Sequence, residues 1–149
     1  MYLLDTDHLS ILQRPSGVEA GRLKERLGTV PMESIHVSIV SFHEQVNGWN
    51  AFLNRSSSMD HLCLAYRMLG DAQRFYSEFG LVPFDNAAAR CFEALARHKT
   101  RVATLDLRIA SIALSRGMTL LTRNTIDFAR IPGLNFEDWT IDDTSNGPN

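Results

Sequence analysis

The chain has 149 residues, of which 44% are hydrophobic and 21% charged, and its formal net charge is -2. These values are typical of one globular domain, and no run approaches the roughly 20 apolar residues that a transmembrane helix needs. The apolar residues after the first methionine are few and lack a basic leader, so we expect no export, no membrane contact and a cytoplasmic location. The small negative charge does not by itself indicate a nucleic-acid-binding protein.

Strand-like and helix-like segments alternate along the chain. In chain order, strands are expected in YLLD, SIHVS, GLVPF, MTLLT and LNFEDW. Helices are expected between them, with Thr6 as N-cap of the first and Thr104 as N-cap of the very apolar LDLRIASIALSRG. Because parallel strands need crossover connections, the alternation predicts an α/β domain with a mostly parallel sheet of about five strands. We expect residues 1–140 to form this domain and residues 141–149 to be a disordered tail.

Acidic residues follow several predicted strands. Asp5 and Asp7 come directly after the first strand, Glu44 lies in the helix after the second, and Asp106 lies in the first turn of the most apolar helix. Each has an ordinary explanation, as a helix cap, a residue favoured by the helix dipole or a surface glutamate. Ligands of parallel sheets, however, gather at the carboxyl ends of the strands. Converging carboxylates there would suit Mg²⁺ or Mn²⁺.

Two further polar groups are candidates. Thr122, Asn124 and Asp127 follow another strand and are expected to join the acidic cluster. The segment ARHKTR contains Arg97, Lys99 and Arg101, and thirteen of the fifteen basic residues of the chain are arginine, which pairs well with phosphate. This patch either binds nucleic acid or is a solvated helix end, and the sequence leaves both open.

Other chemistries have little support in the sequence. It contains no glycine-rich phosphate loop of the GxGxxG or GxxxxGK[ST] type and no GxSxG elbow. The five histidines show no metal-ligand spacing, and we expect them to be surface or packing residues. The two cysteines, Cys63 and Cys91, are expected to be buried packing residues.

Three stretches together resemble a known family. MYLLDTDHLS, SIVSFHEQ and the long run RVATLDLRIASIALSRGMTLLTRNTIDFARIPGLNFEDW are similar to the PIN-domain ribonucleases, specifically the VapC toxins of bacterial toxin–antitoxin pairs. The resemblance extends from Met1 to about Trp139 and implies a three-layer α/β/α PIN fold. It also implies endonucleolytic cleavage of single-stranded RNA, such as a tRNA or rRNA loop, by water that Mg²⁺ or Mn²⁺ activates.

The resemblance assigns roles to particular residues. Asp5, Glu44 and Asp106 correspond to the metal-binding and catalytic acids of the family. The family usually has Asn or Ser where this chain has Asp7, and many relatives have a fourth acid at the position of Asn124. Asp127, three residues later, is therefore the alternative fourth catalytic acid. The residues expected to bind substrate are Thr6, Asp7, Arg97, Lys99, Arg101, Thr122 and Asn124.

Partners follow from the same resemblance. It implies an RNA substrate, a cognate VapB-type antitoxin and a homodimer. Two other interpretations remain at this point. A haloacid-dehalogenase-like phosphatase would use Asp5 as nucleophile and Asp7 as acid/base, although neither lysine of the chain is followed by the acidic pair that this scheme expects. A PIN-fold module that binds RNA or protein without cutting is compatible with Asn124.

Overall fold

Five short parallel strands form the sheet at the centre of the computed structural model, which describes residues 1–14, 16–98 and 101–142. Their spatial order is β3-β2-β1-β4-β5, and every neighbouring pair is parallel. The strands are β1 Tyr2–Leu4, β2 Ile35–Ser38, β3 Gly80–Val82, β4 Thr119–Leu121 and β5 Phe136–Glu137. The predicted α/β fold with a parallel sheet is therefore confirmed.

Seven α-helices and one 3-10 turn connect the strands of the described chain. They are α1 Thr6–Leu12, α2 Val18–Leu27, the turn Met32–Ser34, α3 Ile39–Asn54, α4 Met59–Ser77, α5 Asn86–Arg97, α6 Thr104–Arg116 and α7 Thr125–Phe128. Helix α6 ends at Gly117, whose φ of 59° lies in the left-handed region that glycine enters without strain.

The helices cover both faces of the sheet, and this makes three layers. Leu3 belongs to one hydrophobic core together with α5 and α6, whereas its neighbour Leu4 belongs to a second core together with α1 and α2. Successive side chains of a strand point to opposite faces, so the two cores lie on opposite sides of the sheet. This arrangement confirms the expected α/β/α layering.

Two expected caps and one expected core residue are wrong. Thr6 is the first residue of α1, and the N-cap is Asp5, whose carboxylate accepts the Thr6 amide. The N-cap of α6 is Ala103, without a side-chain hydrogen bond, instead of Thr104. Cys63 is exposed, because it lies on the outer face of α4, and the expectation that it is buried fails.

The strand order fixes where the polar residues meet. Chain progression from β1 goes through β2 to β3 on one side, and β4 lies on the other side of β1. The order therefore reverses between β1 and β4, which is where ligands bind in open parallel sheets. Asp5 and Thr122 directly follow these two strands.

The last described residues of the chain contact helix α2. Asp142 forms an ion pair of 2.8 Å with Arg22 of α2, and the rest of the expected tail, from residue 143 on, lies outside the described residues. Within the part of the chain that the structure describes, no helix has the length and apolar character to cross a membrane.

Candidate active site

Asp5 is a buried carboxylate at the carboxyl end of the central strand. Its side chain is 6% exposed, its Oδ1 accepts the backbone amide of Thr6 at 2.7 Å, and its Oδ2 accepts the hydroxyl of Thr122 at 2.8 Å. Burial, followed by the neighbouring charge of Asp7, raises the pKa of Asp5 to about 7. The two hydrogen bonds oppose this shift without cancelling it.

Asp5 opens onto a cavity of about 360 Å³ at this edge of the sheet. The cavity is lined by residues from α1, α3, α6 and the loop after β4, namely Asp5, Thr6, Asp7, Ser10, Glu44, Asp106 and Asn124. Four of these seven residues are acidic. Three helices distant in sequence thus bring carboxylates to one cavity, and the loop after β4 adds the amide of Asn124.

Glu44 reaches the cavity from the second turn of α3. The Thr6 hydroxyl donates to Glu44 Oε2 at 2.5 Å, so α1 holds the carboxylate by a neutral donor. The nearest glycine along the helix, Gly48, has nothing within 4 Å of the place where a Cβ would stand, and the helix face beside Glu44 is open.

Asp106 lies in the first turn of α6, across the cavity. Its pKa is raised by burial first and then by the negative charges of Glu44 and Asp127. The Asn124 amide nitrogen lies 3.3 Å from Asp106 Oδ2 and 3.1 Å from Asp127 Oδ2, so this neutral side chain bridges two acids. Asp127 does not line the cavity and also pairs with Arg130 at 3.1 Å. Asp127 is therefore linked to the site through Asn124.

Asp7 has both carboxylate oxygens occupied by protein donors. Oδ1 lies 2.9 Å from Nδ1 of His8, and Oδ2 accepts the backbone amide of Arg123 at 2.8 Å. Burial raises the pKa of Asp7, but the contacts with His8 and Arg123 outweigh it and the pKa lies below its ordinary value. Asp7 is therefore a stable anion beside Asp5.

The structure brings most of the candidate residues together, but not the basic patch. Thr122 lies behind Asp5, fully buried, and the other polar candidates line the cavity or, like Asp127, contact its wall. Arg97 ends α5, and Arg101 precedes α6 with a φ of 55°. Among the described residues neither arginine is hydrogen-bonded or ion-paired to the carboxylates, and Lys99 lies outside the described residues.

Sequence reasoning missed two residues of this region. Ser10 lines the cavity one helical turn after Thr6, whose carbonyl accepts its hydroxyl at 2.8 Å, and helical spacing from Thr6 was the available signal. His8 was expected to be an ordinary packing residue, yet it contacts Asp7. Neither the spacing nor the composition distinguishes it from the other histidines.

The donor set fits a divalent cation that prefers oxygen. Within the described ranges no three acidic, histidine or cysteine groups lie close enough together to form a compact metal site. The raised pKa values of Asp5 and Asp106 nevertheless show that the carboxylates repel one another and are poorly solvated. A bound Mg²⁺ or Mn²⁺ would relieve both effects, and carboxylate oxygen is the ligand that these ions favour.

The chain is similar to a known domain family and to two curated proteins. The model of the PIN domain family matches residues 2–134. The tRNA(fMet)-specific endonuclease VapC of Salmonella typhimurium is 38% identical over 77 residues, which are 49% of this chain and 58% of that protein. The protein of the same name from Shigella flexneri is 37% identical over 78 residues, or 59% of its length. The chain therefore aligns with somewhat more than half of each curated relative.

Solved structures extend the similarity over nearly the whole chain. The DNA-bound VapBC of Salmonella typhimurium superposes with a TM-score of 0.70 at 28% identity, covering 93% of this chain and 97% of that chain. FitAB bound to an IR36 DNA fragment superposes with a TM-score of 0.73 at 23% identity, covering 95% and 96%. The second likeness shows the fold alone.

The raised pKa of Asp5 makes a prediction about the metal-free protein. Because the folded chain holds this proton more tightly than the unfolded chain, Asp5 stabilises the fold least above pH 7 and the stability falls as pH rises from about 4 to about 7. We expect Asp5→Asn to raise the Tm at about pH 7.5 and to change it much less at about pH 4.5, as measured by calorimetry in EDTA.

Asp85→Asn is the matched control. Asp85 is also an N-cap, but it is exposed, and its hydrogen bond from Ala88 and its pairing with Arg116 lower its pKa. Its contribution is present at neutral pH and lost in acid, so this variant should not gain stability at about pH 7.5. Equal behaviour of the two variants would contradict the burial of the Asp5 charge.

Proposed function

The chain belongs to the PIN domain family, and from this premise we propose that it is a metal-dependent endoribonuclease of the VapC type, the toxin of a toxin–antitoxin pair. The observation that carries the proposal is the cavity at the β1/β4 switch point, where Asp5, Asp7, Glu44 and Asp106 converge. The two curated relatives are named tRNA(fMet)-specific endonucleases, which supports RNA cleavage and a tRNA substrate.

Asp5, Glu44 and Asp106 are the residues that would hold Mg²⁺ or Mn²⁺. The ion would supply activation of water and stabilisation of charge on the attacking and leaving oxygens of the phosphodiester. Thr6 orients Glu44, Thr122 orients Asp5, and Asn124 orients Asp106, each through one neutral donor. These donors fix the carboxylates without neutralising them, so the negative charge remains available to a cation.

The rest of the cavity is suited to a phosphodiester and its sugar. The hydroxyl protons of Ser10 and Thr6 go to the Thr6 carbonyl and to Glu44, so their oxygens are left to accept from a ribose hydroxyl. Asn124 provides an amide between Asp106 and Asp127. We propose that Thr6, Asp7, Thr122 and Asn124 contribute to substrate binding by these contacts or by holding the residues that make them. Asp127, bridged by Asn124 and paired with Arg130, acts as an outer partner of the site.

The RNA would be single-stranded, because an open hollow at a sheet edge admits an exposed loop more readily than a base-paired helix. We propose that Arg97, Lys99 and Arg101, near the start of α6 that carries Asp106, follow the backbone of the RNA. Arg97 and Arg101 are exposed, as such a role requires.

The partners belong to the same proposal. The solved VapBC complex supports a VapB-type antitoxin as the partner. We propose that this antitoxin covers the acidic cavity and that the chain acts in the cytoplasm. Exposed apolar residues on α4 and β3, Met59, Leu64, Tyr66 and Leu81, are in keeping with a homodimer or another protein contact. Light scattering at micromolar concentration decides whether the chain dimerises.

Two other functions have less support. A phosphatase of the haloacid-dehalogenase type needs Asp7 as a proton donor, but Asp7 has a lowered pKa and uses both oxygens as acceptors. A PIN-fold module that binds RNA without cutting has the same contacts, and absence of cleavage together with RNA binding would establish it.

The first prediction concerns the carboxylates. We expect Asp5→Asn, Glu44→Gln and Asp106→Asn each to abolish Mn²⁺-dependent RNA cleavage, because each removes one negatively charged oxygen from the cavity. In Asp5→Asn the amide oxygen can still accept the Thr6 amide, whereas the Thr122 hydroxyl must accept from the NH₂ group instead of donating. Asp127→Asn should reduce the rate by only about tenfold, as for an outer partner of a metal ligand. Glu93→Gln, on the exposed side of α5, is the control and should cleave normally.

A rate for Asp127→Asn as low as that for Asp5→Asn would make Asp127 a direct ligand. Circular dichroism and Tm measurements in EDTA separate loss of chemistry from loss of fold. A folded Asp106→Asn variant that cleaves like the unchanged protein would contradict the proposed ligand set.

The second prediction concerns the reaction products. If activated water attacks phosphorus and the 3′ oxygen leaves, cleavage gives a 5′-phosphate and a 3′-hydroxyl, and EDTA stops the reaction. Attack by the 2′-hydroxyl of the RNA would instead leave a cyclic phosphate without any metal. End-labelling of the products distinguishes the two, and cyclic ends would overturn the metal mechanism.

The third prediction concerns the basic patch. Replacing Arg97 and Lys99 with Gln should lower the slope of log affinity against log salt by about 1.4 for single-stranded RNA, because each phosphate neutralised contributes roughly 0.7. The cleaved bond should stay the same, since the acidic residues proposed to hold the metal are unchanged. An unchanged slope would assign the patch to a solvated helix end.

A further inference from the structure

His8 is a completely buried imidazole beside the acidic cavity. Its side chain is 0% exposed and belongs to the part of α1 that packs against the sheet. The backbone amide of Trp139 donates to Nε2 at 3.3 Å, so this nitrogen is an acceptor and carries no proton. Nδ1 is therefore the nitrogen that carries a proton, and it donates to Asp7 Oδ1 at 2.9 Å.

Both ring nitrogens of His8 are thus engaged, and this excludes two ordinary roles. A metal ligand needs a free nitrogen that faces the ion, and a general base needs access to substrate. Asp138 does not replace the Trp139 contact, because its Oδ1 is 3.7 Å from Nε2 and instead accepts two hydrogen bonds from Thr140. In the described part of the chain, the contact of His8 with the cavity lining is the one to Asp7.

Asp7 connects His8 with the loop after β4. Its second oxygen, Oδ2, accepts the Arg123 amide at 2.8 Å. On either side of Arg123 are Thr122, which donates to Asp5, and Asn124, which bridges Asp106 and Asp127. The loop of residues 122–124 therefore carries the donors for two carboxylates of the cavity, and Asp7 is the side chain that fastens its centre.

We propose that His8 is a positioning residue that holds Asp7 through Nδ1, and that Asp7 in turn holds residues 122–124 in register with Asp5 and Asp106. The effect on cleavage rests on the proposed function, whereas the effect on the loop does not. The sequence DTDH is what makes this possible, since adjacent residues place one side chain in the cavity and the next in the core.

Two substitutions, to asparagine and to glutamine, test the contacts of the two ring nitrogens one at a time. In His8→Asn the side-chain amide NH₂ can take the place of Nδ1–H and donate to Asp7. In His8→Gln the longer side chain can place its oxygen near Nε2 and accept the Trp139 amide, but the donor to Asp7 is lost. Both variants leave some unfilled volume, so both should lower the Tm. Ile11→Val, in the same helix and core, is the control for packing alone.

We expect kcat of His8→Asn to stay within about threefold of the unchanged protein, and kcat of His8→Gln to fall by about tenfold or more with KM little changed. Mn²⁺ affinity, measured by calorimetry without RNA, should follow the same order. Ile11→Val should have a lower Tm but unchanged kcat and Mn²⁺ affinity. If His8→Asn and His8→Gln lose activity equally and in proportion to their Tm, His8 merely fills the core and the proposal is wrong.

Hydrogen exchange of the Arg123 amide tests the link independently of catalysis. Exchange should be faster in His8→Gln and unchanged in His8→Asn, because only the former frees Asp7. If the unchanged protein does not cleave RNA, the proposed function fails, and this amide still decides the role of His8. Equal Arg123 exchange in all three proteins would overturn the positioning role even in an active enzyme.

Discussion

The site depends on the burial of one carboxylate, Asp5, at the end of the central strand. A charged group with 6% exposure is costly unless hydrogen bonds or a cation stabilise it. The protein supplies two hydrogen bonds and adds a second acid, Asp7, whose charge raises the pKa of Asp5 further. The charged form of Asp5 is therefore unfavourable in the folded protein, and a bound divalent cation would stabilise it. The neighbouring helices place their own carboxylates around the same point.

The carboxylates of the cavity are held by neutral hydrogen-bond donors. Thr6, Thr122 and Asn124 are neutral donors, and each touches one or more of the acids. Had lysine or arginine filled these places, the ion pairs would have competed with a metal for the same oxygens. The arginines that do pair with acids nearby, such as Arg130 with Asp127, lie outside the residues that line the cavity.

The extent to which the sequence predicts this architecture differs between elements. The strands are predictable because short apolar runs with flanking polar residues recur between helices, and parallel pairing follows from the helical crossovers. Asp5 is predictable because it follows a strand, Asp106 because it opens a helix, and Glu44 because the family resemblance places a glutamate in the helix after the second strand. Their convergence is then a result of the sheet topology rather than of any local pattern.

Other features depend on tertiary contacts that the sequence does not express. Asp5 caps α1 because the chain turns directly from strand into helix, leaving Thr6 free to reach Glu44. Cys63 is exposed because α4 presents that side to solvent, although the residue type favours burial. His8 has the same surroundings in sequence as an ordinary helical residue, and only the return of the chain at Trp139 gives it a second partner.

The placement of β4 beside β1 also governs when the site can exist. Thr122 and Asp5 are separated by 117 residues, so the hydroxyl that holds the first carboxylate is synthesised long after that carboxylate. Contacts of such long sequence separation form late in folding. Closing the intervening loop costs conformational entropy, and this cost is offset only after the strands have paired. A chain still emerging from the ribosome has Asp5 and Glu44 but no β4 to complete the hollow. The topology thus delays assembly of the cavity until β4 has been made, and in any shorter nascent chain Asp5 lacks one of its two hydrogen-bond donors.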